Sequence, residues 1–140
     1  NSNIGNLFKL LNNAIPFVSF KNTSHLRKSF LSIENIKTCI KFNLQNMDTI
    51  NRNIFNISDN NDLAFDEFIY NYKNISKSKS MIINFPGIFF KILIKLPILN
   101  KMLIKLYGNF HITNIKVQDA FNIKLKDTQE GLSYLLSKKL

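Results

Sequence analysis

Tryptophan is absent, and glycine, proline and cysteine are scarce: four, three and one in 140 residues. Four scattered glycines exclude both the glycine-rich dinucleotide turn and the P-loop. The lone Cys39 excludes an internal disulfide, and no metal-ligand spacing surrounds it. Its place in IENIKTCIKF marks a small buried hydrophobe, and a reducing, cytoplasmic setting is expected. Acidic residues are few, 9 against 19 basic ones. Asp48, Asp59, Asp62, Asp66 and Glu67 fall on turns and a helix start, so no paired-carboxylate mechanism is visible. His25 and His111 are far apart in sequence and read as structural. There is no serine nucleophile elbow, and Tyr70 and Lys73 form a Tyr-x-x-Lys, not a Tyr-x-x-x-Lys. Taken alone, the chain carries no catalytic residues.

What is present is a globular composition, 45% hydrophobic, with 13 phenylalanines. The 21 asparagines and 20 isoleucines fit codon usage in an AT-rich genome. The net charge of +10 suits nucleic acid, anionic lipid or a phosphorylated ligand. Lysine is spread along the whole chain, however, and only Arg27 and Arg52 are arginines, so nucleic acid is not expected as a partner. The chain starts at Asn1 without a basic segment and apolar run. The expectation is a processed product or a piece of something longer.

Short apolar runs alternate with amphipathic stretches. Ile4, Leu7, Leu10 and Leu11 predict a short helix, ended by Pro16. AIPFVSF reads as a brief strand or extended loop, and SFLSI as a strand. Ile33, Ile36, Ile40 and Leu44 repeat at three or four residues and mark one face of a helix capped by Ser32. NIFNIS is strand-like and closes on the SDNN turn. DEFIYNYKN predicts a helix with Phe68, Ile69 and Tyr72 inward and acids in its first turn. MIINF and NFHIT read as strands.

Residues 87–107 form an apolar helical pair divided by Pro97. A spanning helix needs about 20 predominantly apolar residues, and Lys91, Lys95, Lys101 and Lys105 interrupt this stretch. Packing on a core or a neighbouring domain is expected, with contact at a membrane surface as the alternative. Asn114 is placed to cap a short helix, and Asp127 and Glu130 have the spacing of a capping box. The class is mixed α/β in one region spanning residues 1–140.

Four stretches, in order, then carry a resemblance: GNLFKLLNNAIPF, LRKSFLSIENI, NIFNISDNNDLAFDEFI and YGNFHITNIKVQDAFNIKLKDTQEGL. Together they resemble the C-terminal, substrate-binding half of extended short-chain dehydrogenases/reductases. These form the NAD-dependent epimerase/dehydratase family, and the likeness is to its UDP-glucose 4-epimerase-like and 4-keto-sugar reductase members. The resemblance implies the substrate part of an extended Rossmann-type enzyme, lacking the N-terminal dinucleotide-binding half. NAD(P) and the catalytic Tyr-x-x-x-Lys would belong to that half, which is then a partner of this chain.

A homodimer of the full enzyme is compatible with the resemblance. The implied ligand is a UDP-sugar of polysaccharide biosynthesis. Lys28 falls at the base that reaches the substrate diphosphate, with Arg27 just before it. Lysine keeps the charge there but loses the bidentate fork. Asn6 matches the start of the substrate helix, and Pro16 and Phe17 the segment passing the nucleotide base. Lys105 lies close to a phosphate- or ribose-contacting arginine, and Asn109 falls where relatives carry Asp or Ser. Departures from the pattern are Ala64 for a helix-opening Ser/Thr, Asn122-Ile123 for Gly-Trp, and Leu125 for Pro. They leave a second reading open, a truncated remnant without enzymatic activity.

Overall fold

The computed structural model describes residues 3–46 and 53–138. In chain order the elements are α1 (Asn3–Asn12), β1 (Phe17–Phe20), β2 (Arg27–Ser29), α2 (Ile33–Gln45) and β3 (Asp62–Ala64). They continue with α3 (Phe65–Ser76), β4 (Ile82–Phe85), α4 (Gly87–Leu93), α5 (Pro97–Tyr107), α6 (Ile115–Phe121) and α7 (Thr128–Ser137). The chain divides into two compact units. One holds Asn1–Arg27 and Ala64–Asn109, the other Lys28–Leu63 and Phe110–Leu140. Strands β2 and β3 pair, and the chain passes from one unit to the other within each of them. Among the described residues no helix is long and apolar enough to cross a membrane. The expectation for Asp48 lies outside the described residues.

In the first unit β1 and β4 run parallel, with Phe17 opposite Ile82 and Phe20 opposite Phe85. Parallel strands need a long crossover; the residues between them supply α3, which buries Phe68, Ile69 and Tyr72 as predicted. The Phe8 ring of α1 stacks on Tyr72 at 3.9 Å. Tyr107 from α5 meets Phe20, Phe65 and Phe90 edge-on or tilted at 5.3–5.7 Å. Such aromatic pairs add about 0.5–1.5 kcal/mol each beyond their buried area. The Tyr107 hydroxyl donates to Asp66 Oδ1 at 2.8 Å, and Thr23 Oγ1 donates to Asp66 Oδ2 at 2.7 Å. Burial, and then the Asp66 charge, push the Tyr107 phenol far above its ordinary range. Pro97 divides α4 from α5 as expected, because its ring is tolerated only in a first turn.

The second unit packs Cys39, Val117, Phe121 and Leu125 together, with Phe42, Phe55, Ile57 and Ile123 against them. Phe42 stacks on Phe121 at 4.4 Å. Ser32 caps α2 as predicted, accepting from the Asn35 amide at 3.4 Å. In α7 the Glu130 carboxylate accepts from the Asp127 amide at 2.8 Å, the capping-box contact expected from the spacing.

Several expectations fail in detail. Helix α2 turns Asn35 and Cys39 inward and leaves Ile33, Ile40 and Leu44 exposed, Leu44 at 67%. Apolar periodicity pointed to the wrong face because a buried polar anchor sits on the right one. Helix α1 likewise buries Phe8 and Leu11 and exposes Ile4 and Leu10. The strand expected at SFLSI is β2, which ends at Ser29; the Phe30 carbonyl instead accepts from the Asp59 amide at 2.7 Å. NIFNIS forms no regular strand where it is described, and its Phe55 and Ile57 join the core. NFHIT contributes one bridge, Phe110 to Lys28. The Asn114 side chain does not cap α6; its amide donates to the Ser58 and Asp59 carbonyls at 3.2 and 3.1 Å.

Candidate anion-binding site

Arg27 opens β2. Its backbone amide donates to Asn109 Oδ1 at 2.7 Å, so these two expected site residues lie together in the first unit. Asn109 stands directly after the end of α5, where Gly108 passes close to the helix: a Cβ there would meet the Ile104 carbonyl at 2.5 Å. The Arg27 guanidinium pairs with Glu67 Oε2 at 3.3 Å. Both side chains are nearly half exposed, so the pair is worth at most about 1 kcal/mol. A ligand phosphate can displace it, since a guanidinium binds two oxygens in a fork.

The other expected residues of this unit are spread over α1, the entry to β1 and α5. Asn6 and Pro16 are exposed, and Phe17 is half-buried against Phe65 at 5.9 Å. Lys105 lies exposed in the last turn of α5. Lys28 belongs to the second unit. The residue is half-buried, and desolvation lowers its pKa. A nearby anion would act against this and favour the charged form.

A cleft of 640 Å³ in the first unit escaped sequence reasoning. Its lining includes Lys21, Thr23, His25, Gly87, Phe90 and Lys91. It lies past the carboxyl ends of the parallel strands β1 and β4, where open α/β sheets bind ligands. The Lys21 amide donates to the Phe85 carbonyl at 2.8 Å, and a Cβ on Gly87 would meet the Lys21 carbonyl at 2.5 Å. Only glycine therefore lets α4 start so close to β1. The signal in the sequence was Lys21 directly after β1 and Lys91 on α4, but it became legible only once β1 and β4 were paired.

Ser29, Asp62 and His111 cluster in the second unit. Ser29 Oγ donates to Asp62 Oδ1 at 2.6 Å and accepts from the Ile112 amide at 2.7 Å, while His111 Nδ1 meets Asp62 Oδ2. A nucleophilic triad needs the histidine between serine and carboxylate. Here the carboxylate stands between them, so the serine has no base to activate it. Among the described residues no group of three or more His, Cys, Asp or Glu side chains is placed to hold a metal ion.

A buried network joins three of the four stretches that carry the resemblance. Asp59 Oδ1 accepts from the Ser32 amide at 2.8 Å and from Asn35 Nδ2 at 2.7 Å. Asn35 also donates to the Lys126 carbonyl at 2.9 Å, and its Oδ1 accepts from the Lys126 amide at 2.8 Å. A Cβ on Gly131 of α7 would stand 2.4 Å from Ser32 Cβ, so glycine is what lets the two helices meet there.

The departures from the resemblance are also accommodated. Asn122 takes the left-handed φ of 48° that Gly or Asn favours at a helix end. Ile123 and Leu125 pack into the core. Ala64 offers no capping oxygen, yet its amide donates to Glu67 Oε2 at 3.0 Å. Comparison with family models, with curated proteins and with solved structures returned no match.

Proposed function

We propose that this chain is the sugar-nucleotide-binding half of an NAD-dependent epimerase/dehydratase or 4-keto-sugar reductase of polysaccharide biosynthesis. The observation that carries the reading is the Asn35–Asp59–Lys126 network, which fits three sequence stretches, distant along the chain, into one buried polar junction.

In this reading the chain does no chemistry of its own. NAD(P) and the tyrosine base would belong to an N-terminal Rossmann half, and the cofactor would supply the hydride chemistry there. The present residues hold the UDP-sugar by its charge. The resemblance assigns the diphosphate to Lys28, with Arg27 just before it in the chain, and the nucleotide base to Pro16 and Phe17. Asn6, Lys105 and Asn109 are the other positions that the resemblance assigns to the substrate. Fixing the substrate supplies a large share of a rate enhancement, so a purely positioning half still matters.

The test is calorimetric titration of UDP into the native protein at low salt. Saturable binding is expected, weakened about 100-fold or more by Arg27→Ala with Lys28→Ala, since a charge-assisted contact contributes about 1.5–3 kcal/mol. No UDP binding to the folded protein would sink the reading and leave the non-enzymatic remnant in its place.

A further inference from the structure

The segment from α4 through α5 exposes more apolar surface than any structural role in its own unit requires. On α4, Ile88, Phe89 and Ile92 are 45–63% exposed and occupy adjoining positions of one helix face, with Lys91 at its edge. Leu96 is exposed in the turn. On α5, Leu103 and Tyr107 point inward, which turns Lys101 and Lys105 outward with Ile98 and Met102 on one flank and Ile104 on the other. Ile98 is 90% exposed. Apolar surface on this scale marks an interaction site.

The charge pattern says which kind. No acidic residue occurs between Glu67 and Asp119, a stretch that contains eight lysines. Four of them, Lys91, Lys95, Lys101 and Lys105, are exposed on the α4–α5 segment itself. A protein partner would have to bury those ammoniums, and interface cores are depleted in charge. A lipid surface does not: apolar side chains enter the acyl boundary while lysines extend to the headgroups.

We propose that α4 and α5 dock the protein on an anionic membrane surface, with Ile88, Ile92 and Ile98 inserted and the four lysines paired with lipid phosphates. Lys105 also stands in the nucleotide reading, whereas Lys95, Lys101, Ile92 and Ile98 do not, so substitutions at those four positions separate the two.

Co-sedimentation with phospholipid vesicles tests it. The native protein is expected to bind vesicles of mixed phosphatidylcholine and phosphatidylglycerol at low salt, not phosphatidylcholine alone. It should be released near 1 M salt, where the Debye length is about 3 Å. Lys95→Gln with Lys101→Gln should weaken partitioning about 30-fold, roughly 5-fold per lysine. Ile92→Ser with Ile98→Ser should weaken it by about 10-fold or more. Lys9→Gln with Lys41→Gln removes the same charge elsewhere and should leave binding within about 2-fold.

Failure to bind anionic vesicles at low salt overturns the proposal. Equal loss from the Lys9/Lys41 pair overturns it too, since general basicity would then be the cause. So does a dimer in solution that Ile98→Ser converts to monomer, since a second copy would then cover the face.

Discussion

Replacing Asn35 by alanine should cost the second unit far more than an ordinary surface substitution. Asn35 is 1% exposed and Asp59 3%. The change removes the donor to the Asp59 carboxylate at 2.7 Å and both partners of the Lys126 backbone, at 2.8 and 2.9 Å. A hydrogen bond to a buried charge contributes about 1.5–3 kcal/mol, and each ordinary one about 0.5–1.5. Lys126 lies at the surface, where water can replace part of the loss. The sum is about 3–4 kcal/mol, against roughly 10 for a whole domain of this size.

Urea titration reads the loss, with Cys39 as an internal probe. Its thiol is 3% exposed on the same helix, so its labelling follows opening of the second unit. The variant should become labelled about 150- to 700-fold faster under native conditions where opening is in rapid equilibrium. A loss under about 1 kcal/mol, with an unchanged denaturant slope, would refute the reasoning. It would mean that water or a relaxed backbone already serves Asp59.

Three further outcomes follow from the geometry. Gly131→Ala puts a methyl against Ser32, whose Cβ would lie 2.4 Å away, and should lower stability by about 1–3 kcal/mol in thermal melts; no change would show that α7 can shift freely. Tyr107→Phe leaves Asp66 without the donor at 2.8 Å and should cost about 1–2 kcal/mol in urea. Burial holds Cys39 and Tyr72 above their ordinary values of 9.0 and 10.0, and burial with Asp66 does the same for Tyr107. The unfolded chain therefore releases these protons first. Stability from these groups is full below pH 9 and falls as pH rises above it, and Cys39→Ala should remove the earliest part of that decline in melts run from neutral pH upward.

Much of the local structure was legible along the chain, because it is set by neighbours three or four residues away. Ser32, Glu130 and Pro97 act on amides and rings within one turn, and the starts of α2, α5 and α7 fell where they were expected. Phe68, Ile69 and Tyr72 identified the inner face of α3 because that face is wholly apolar. The same rule failed on α2, where Asn35 occupies the inner face and isoleucines the outer one. Its place could be known only once Asp59 and Lys126, 24 and 91 residues further on, were seen to complete its hydrogen bonds.

The candidate site divides in the same way. The sequence alone marked Arg27, Lys28 and Asn109 as candidates and supplied the excess of positive charge. The tertiary structure decided that Arg27 meets Asn109 and Glu67, that Lys21 and Lys91 share a cleft, and that the isoleucines of α4 and α5 face solvent. Helix caps and turns are contacts between near neighbours, which the order of residues specifies directly. Clefts and exposed faces are made by strand pairing across about sixty residues, and that pairing depends on the packing of the whole unit.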